Sequence, residues 1–442
     1  MQQTRRSFMK KASVGIALGG LGMSTQSYAR IKGANERLNF AVVGIRSRGG
    51  AHLGSLTDLK KDAIVSHICE VDEQYVEKFS QKTEKAFGQA PTLVKDFRKL
   101  LEVKDLDAIT VATPEHWHAP MAIMGLQAGK HVYLEKPCSH NPREGELLIK
   151  AQKKYTPLVQ MGNQQRSSAH SIHIINKIKA GLIGDVYYGK AWYSNKRGGI
   201  GVGKVVPVPK NLDWELWQGP APRRPYKDNL HPYNWHWFWH YGTGETLNNG
   251  THEVDVCRWA LGVDNPNKVS TTGGRFHFKD DWEFYDTLVA GFDYGDKSIV
   301  WEGLSCQGKK YYGRGRGSTI HGSNGTVLID RGGYIVFDRN EKVVEEHKKG
   351  STNENAATNL VGGGDMTTAH FRNFINGIKG SEQLRSPLKD ANISVASLHL
   401  ANIAWKMGRS LKIDPNTGRI LNDEQAMGMW GREYEPGWEL KV

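Results

Sequence analysis

Cysteine is scarce in this chain: Cys69, Cys138, Cys257 and Cys306 are the only four in 442 residues. None forms a CxxC pair, which removes support for a zinc ribbon or a disulfide-dense scaffold. The four read as small buried side chains, with pairing left open in an oxidising compartment. Internal repeats, coiled-coil heptads and low-complexity tracts are absent as well. No arginine-rich block or nucleic-acid motif accompanies the net charge of +13, so no nucleic-acid partner is expected. The excess reads as a basic soluble surface; acidic sugars or an anionic surface are the other partners it would draw. The first 29 residues hold no acid, and their apolar stretch, Ala12 to Met23, is too short and too glycine-rich to span a bilayer. No transmembrane anchor is expected.

That N-terminal stretch has the form of an address instead. Thr4-Arg5-Arg6-Ser7-Phe8-Met9-Lys10 precedes the apolar stretch, and Ser27-Tyr28-Ala29 follows with small residues at the two positions a signal peptidase reads. The paired arginines with Phe8 and Lys10 resemble a twin-arginine signal, so residues 1–29 are expected to direct export of a folded protein, to the periplasm or otherwise outside the cytoplasm.

What remains is globular in composition. Hydrophobic residues make up 38% and charged residues 24%, enough for a sizeable core, and the length suggests two or three domains. Arg37 to Val43 reads as a buried strand ending at Gly44, followed by Ile45-Arg46-Ser47-Arg48-Gly49-Gly50 and a helix opening at Ala51-His52-Leu53. Strand, glycine-rich turn and helix are what a dinucleotide site requires: glycine admits the backbone to the pyrophosphate, and helix N–H groups face its charge. Gly44 and Gly49 fit the first and last glycines of GxGxxG, but Arg46 replaces the middle one. A second strand, Ala63 to Cys69, ends at Glu70, which lies 21 residues after Gly49, where an acid can hold the ribose hydroxyls. Glu70 argues for NAD; Arg46 and Arg48, either able to meet a phosphate, keep NADP open.

Strands at Leu106 to Ala112, in the run Gly129 to Pro137 and at Pro157 to Met161 alternate with helices, which means a doubly wound parallel sheet. Thr113, Pro114, Glu135, Lys136 and Pro137 fall at the C-terminal strand ends, where the nicotinamide is expected. His116 and His118 lack further ligands at a recognised zinc spacing and read as site-lining without metal.

The run Ala112-Thr113-Pro114 with His118, then Ala128-Gly129-Lys130-His131-Val132 and Glu135-Lys136-Pro137, closely resembles the Gfo/Idh/MocA oxidoreductases. Gly244 to Asp255, with His252, Trp259 and Gly262, is similar to that family's glycine-rich turn and histidine-bearing helix, and Ser397 to Leu411 continues the likeness. The resemblance implies an α/β fold: a Rossmann-like domain (32–160), then a substrate and oligomerisation domain (161–412) with an open, mostly antiparallel sheet. It also implies a homodimer or homotetramer acting on sugars, polyols or cyclitols at a secondary alcohol or ketone. A neutral imidazole suits the hydroxyl proton and an ammonium suits the developing negative charge, so His252 is assigned as acid/base and Lys136 as its orienting partner. Many dehydrogenases of this family carry aspartate four residues before the histidine; here that residue is Asn248, which can hold a sugar hydroxyl but carries no charge. Asp255, one helical turn after His252, either supports it or pairs locally. An exported member would work best with a tightly held cofactor that cycles in place.

From Trp192 to Tyr241 the regular pattern lapses and six prolines punctuate it. Asn234-Trp235-His236-Trp237-Phe238-Trp239-His240-Tyr241 is the most aromatic stretch, with Trp237 and Trp239 read as a sugar-stacking wall; a core cluster or a subunit contact is the alternative. Phe284 to Asp293, Ser298 to Ser305, Ser318 to Asp330 (split at a Ser323-Asn324 turn) and Tyr334 to Asp338 read as strands, and Asp365 to Asn376 and Asn392 to Ser410 as helices. Residues 413–442 read as an irregular tail whose aromatics pack on a neighbour. Two rival functions stay open: a glycosidase using NAD in a transient oxidation, and a noncatalytic sugar-binding protein on the same scaffold.

Overall fold

The computed structural model describes residues 37–348 and 364–442; the N-terminal address lies outside them. The first sheet is built from β1 (Leu38–Val43), β2 (Ala63–Cys69), β3 (Thr92–Val94), β4 (Ala108–Val111), β5 (His131–Leu134) and β6 (Val159–Met161). Its order is β3-β2-β1-β4-β5-β6, with every pair parallel. The order reverses between β1 and β4, and the crevice beyond their C-terminal ends is where such sheets bind ligands. Helices α1 (Ser47–Asp58), α2 (His118–Gln127) and α3 (Pro142–Lys154) follow β1, β4 and β5. The central strands β1 and β4 are buried on both faces, which is why they read as apolar runs rather than alternating ones.

The second sheet has nine strands: β7 (Val186–Ser194), β8 (Lys268–Gly274), β9 (Thr287–Asp293), β10 (Ser298–Leu304), β11 (Arg316–Gly322), β12 (Gly325–Asp330), β13 (Gly333–Asp338), β14 (Val343–Lys348) and β15 (Leu411–Lys412). They run β14-β13-β12-β11-β7-β10-β9-β8-β15, antiparallel except where β7 meets β10. The β9 burial pattern alternates strictly, as a sheet with one packed face demands. Helix α4 (Gly250–Leu261) lies on that face. A Cβ at Gly189 in β7 would stand 3.0 Å from Cβ of Cys257, so the glycine sets how closely α4 approaches.

Two late helices tie the halves together. Phe371 and Phe374 of α5 (Gly364–Ile378) pack on the first sheet, Phe371 stacking on Tyr133 at 3.9 Å between ring centroids. Asn392 of α6 (Leu388–Met407) sits where a Cβ on Gly145 of α3 would fall, so those two helices are in close contact. The tail does not wait for a neighbour: it folds back on its own chain. Arg432 and the Tyr434 hydroxyl both reach the buried Glu144 of α3, and the Trp438 ring meets Trp117 edge-on at 5.1 Å.

Three of the four cysteines are buried and Cys306 is half-buried; all four are free thiols. Among the described residues no helix is long and apolar enough to cross a membrane.

Candidate active site

A cavity of about 980 Å³ opens beyond the C-terminal ends of β1, β4 and β5 and is closed by the second sheet, α4 and the aromatic loop. At its floor Gly44 holds φ +76°, and a Cβ there would lie 2.7 Å from the Ala112 carbonyl oxygen. Gly49 has the same constraint: its Cβ would fall 2.0 Å from the Gly44 oxygen. The turn therefore admits the backbone where a side chain would stand. No side chain caps α1, and its first turn has no acid, so its opening N–H groups are left for a ligand. Arg46, Ser47 and Arg48 line the cavity there; Gly49 does not, its part being the close packing of helix on turn.

Glu70 takes N–H groups from Ile45 on one oxygen (3.0 Å) and from Val71 and Asp72 on the other (2.8 and 3.1 Å). Burial pushes its pKa up against those three donors. The oxygen facing Ile45 accepts that one backbone N–H and keeps capacity for a ribose hydroxyl. Arg46 bridges the cavity instead of pointing outward: it donates to the Pro232 carbonyl at 2.9 Å, with its guanidinium 4.7 Å from the Tyr75 ring centre. The cradle at Gly44, the uncapped helix and the acid at the end of β2 together fit a dinucleotide.

Thr113, Pro114, His118, Glu135 and Lys136 all line the same cavity. His118 fastens two loops, with Nδ1 2.6 Å from the Pro137 carbonyl and Nε2 3.0 Å from that of Thr113. The Glu135 carboxylate is held by Arg48 (2.6 Å), His52 (3.0 Å) and Gln164 (3.1 Å), which keep it ionised far below the usual carboxylate range despite burial. It positions α1 against the end of β5.

Lys136 donates to both the carbonyl and the side-chain oxygen of Asn248, at 2.5 and 3.0 Å. Burial lowers its pKa, and the charge that most opposes this is Glu115. Glu115, which sequence reasoning passed over, is itself buried, accepts from Thr243 at 2.5 Å, and is pushed upward by burial against the pull of Lys136. Neutral Asn248 is thus accompanied by a carboxylate from the loop after β4. The Asn248 amide nitrogen is buried with no hydrogen-bond partner among the described residues.

His252 lies in the first turn of α4, 8% exposed, and lines the cavity with Lys136. Its ring makes no hydrogen bond to another described residue. Burial, then Arg331, Lys136, Arg316 and Arg48, holds the imidazole neutral. Asp255 does not support it: that carboxylate is taken by Arg166 through two bonds of 2.8 and 2.9 Å and by Ser394.

The aromatic wall is corrected. Trp237 is in the core, 1% exposed and stacked on Trp282 at 4.0 Å, and Trp239 stacks on Phe284; neither lines the cavity. Trp235 and His236 of the same stretch do, together with Tyr233 and Trp217. An irregular run gives no period from which to tell cavity-facing from core-facing rings. Arg197, Arg314, Arg316 and Arg331 also line the cavity and carried no local sequence signal.

Two family models match the chain: an oxidoreductase family, NAD-binding Rossmann fold, over residues 38–163, and that family's C-terminal α/β domain over residues 185–325. A glycosyl hydrolase family 109 protein of Saccharopolyspora erythraea is 28% identical over 210 residues, 43% of this chain and 45% of that one. An α-N-acetylgalactosaminidase of Shewanella oneidensis is 25% identical over 36% of this chain and 35% of its own. The matched segment thus spans under half the length of either relative. Among solved structures, the WlbA dehydrogenase of Bordetella pertussis, in complex with NADH and UDP-GlcNAcA, superposes with TM-score 0.62 at 19% identity over 86% of this chain and 99% of that one. The aldose-aldose oxidoreductase of Caulobacter crescentus gives 0.62 at 16% identity over 86% and 100%. These structures share the fold.

Proposed function

The chain belongs to the Gfo/Idh/MocA oxidoreductases with an NAD-binding Rossmann domain, and from that premise we propose that it oxidises or reduces a secondary alcohol or ketone of a sugar, glycoside or polyol. The observation that carries this reading is the meeting of Lys136 and His252 in one cavity with the Gly44 turn. The Gly44 turn and Glu70 would hold NAD, which would supply the hydride acceptor or, reduced, the donor. Lys136 orients the reacting oxygen: two of its three donor directions are fixed by Asn248, leaving one for substrate. His252, neutral and with no hydrogen bond to another described residue, takes the hydroxyl proton during oxidation and returns it during reduction. Trp235 and Trp217 are the tryptophans of the loop that border the cavity where a sugar ring would lie. Lys136→Ala and His252→Ala should each lower turnover about 10²- to 10⁴-fold while NAD binding, followed by quenching of tryptophan fluorescence, persists. Turnover equal to wild type in either variant would remove that residue from the mechanism.

A second reading is favoured by the curated relatives, which are named as family 109 glycosyl hydrolases and α-N-acetylgalactosaminidases. Transient oxidation of a hydroxyl acidifies the neighbouring C–H and lets the glycosidic bond leave by elimination. Free sugar released without net NADH would select this reading; net NADH without cleavage would select the first. We also infer export by the twin-arginine route, from residues 1–29. Replacing Arg5 and Arg6 by lysine should retain the protein in the cytoplasm on fractionation, and unchanged export would refute the inference.

A further inference from the structure

We propose that residues 211–241 form a cap over the adenosine end of the cofactor site, and that Asp72 latches this cap and sets how fast NAD enters and leaves. This rests on NAD lying at the Gly44 turn and Glu70, and not on which sugar is oxidised.

The cap is a unit. Leu212, Trp214, Trp217, Tyr226, Leu230 and Tyr241 belong to a small apolar core of their own, apart from those of the two sheets. Trp214 stacks on Trp217 at 4.7 Å between ring centroids, with Tyr226 and Tyr241 meeting this pair edge-on. A body cored in this way shifts as a whole. Lys227 and Asn229 both donate to Asp281, which fastens it to the second domain. Its inner side borders the cavity: His231, Pro232 and Tyr233 line it with Gly44, Glu70 and Asp72. A dinucleotide at the Gly44 turn, with its ribose at Glu70, would therefore lie beneath the cap.

Contacts between the cap and the Rossmann domain fall in two groups of different character. In the first, the Trp217 carbonyl oxygen accepts the indole N–H of Trp117 at 3.0 Å and lies 3.0 Å from Nε2 of His116. Both side chains are buried, and a Cβ at Gly219 would fall 1.9 Å from the Trp117 ring, so the packing here is dry and close. In the second, the cap meets Val71 to Glu73, just past Glu70. Leu212 pairs with Asp72 in a single antiparallel bridge; the Asp213 N–H donates to the Val71 carbonyl and the Glu73 N–H to that of Asn211, each at 2.9 Å. The Asp72 carboxylate, 2% exposed, accepts from Asn211 at 2.6 Å on one oxygen and lies 3.0 Å from Nε2 of His231 on the other. The Gln74 N–H, from its own segment, is its third donor. The cap thus supplies both side-chain donors to a carboxylate that burial would otherwise penalise. Arg46 adds a strut from the glycine-rich turn to the Pro232 carbonyl. When this edge parts, water takes the place of both donors, so the contact can open and reclose. The apolar rings around Trp217 have no such replacement, which makes that edge the hinge and Asp72 the latch. Asp72 meets no reacting atom; it is a positioning residue for the cofactor.

The test follows NADH fluorescence as the NADH-loaded protein is chased with excess NAD, beside hydrogen exchange read by mass spectrometry. In Asp72→Ala, release should quicken at least about tenfold. Entry should quicken with it, so that the dissociation constant moves less than either rate. Peptides covering residues 71–75 and 210–215 should exchange faster, with β1 unchanged. Asn211→Ala should quicken release less than Asp72→Ala, because His231 remains, and should add nothing in the Asp72→Ala background, since both break one contact. Should Asp72→Ala loosen β1 as well, Asn211→Ala alone must still quicken release, or the proposal fails. Faster release matched by an equal loss of affinity also overturns it, because Asp72 would then be part of the binding surface and not a gate. Additive effects of the two substitutions do the same. Wild-type protein that binds no NADH refutes the cofactor reading and this proposal with it; normal binding with unchanged release in Asp72→Ala refutes the proposal alone.

Discussion

Lys136 shows how a neutral partner changes the surroundings of a buried ammonium. Both oxygens it meets on Asn248 are uncharged, so the counter-charge comes from Glu115. Asn248→Asp would place a second carboxylate against the ammonium and raise its pKa; Glu115→Gln would remove the first and lower it. If Lys136 acts as the charged donor, activity falls as pH rises through its pKa. The alkaline limb of kcat/KM should then move to higher pH in Asn248→Asp and to lower pH in Glu115→Gln. Matching shifts in one direction would contradict the role given to Glu115. At this scale Lys136 and His252 were legible because each sits in a short motif. Glu115 lay one residue beyond Pro114 and was still missed, because its meaning depends on where Lys136 reaches. Arg316 and Arg331 gave no signal, since a hairpin turn and a strand start bring them to the cavity only after the second sheet closes.

Among the elements, the turn between β1 and α1 is the least replaceable. Gly44→Ala asks for a left-handed backbone with a side chain and also puts Cβ 2.7 Å from the carbonyl oxygen of Ala112, just after β4. Strain of this kind costs about 1–3 kcal/mol, and the shift it forces falls on the cofactor floor. The variant should melt several degrees lower and bind NAD at least about tenfold more weakly, one decade being about 1.4 kcal/mol. Unchanged NAD affinity would mean the turn is not the cofactor floor. Five of the six parallel strands were readable from their apolar runs; short, largely exposed β3 was not, and neither was β7, central in the second sheet. Its middle carries Gly189 and Lys190, which discourage a strand locally. Both are explained only by tertiary partners: Gly189 by Cys257 of α4, and Lys190 by Glu302 on the neighbouring β10, 2.9 Å away. The aromatic stretch failed for a related reason, its rings being divided between core and cavity by a single short 3-10 turn at Asn234–Trp237.

Across the whole molecule, late segments complete early ones. α5 covers the first sheet, and the tail returns to α3, where Arg432 and Tyr434 satisfy a fully buried Glu144. Ending the chain at Lys412 would strip that carboxylate of its cation, a loss worth about 3–5 kcal/mol for a buried pair. Urea unfolding of the truncated protein should show a lower midpoint, and an unchanged midpoint would contradict the packing role of residues 413–442. The same long-range closure brings His252 on α4 to the strand ends that carry Lys136, so the active cavity exists only in the assembled pair of sheets. We propose that hydride passes between a sugar and NAD in this cavity. The most direct test is the nicotinamide absorbance of the purified mature protein as neutral and acidic sugars and glycosides are added, beside the Lys136→Ala variant. The account predicts reduced cofactor appearing with at least one sugar in the wild type and not in the variant. No change with any sugar, or with the matching ketosugars and NADH, would contradict it.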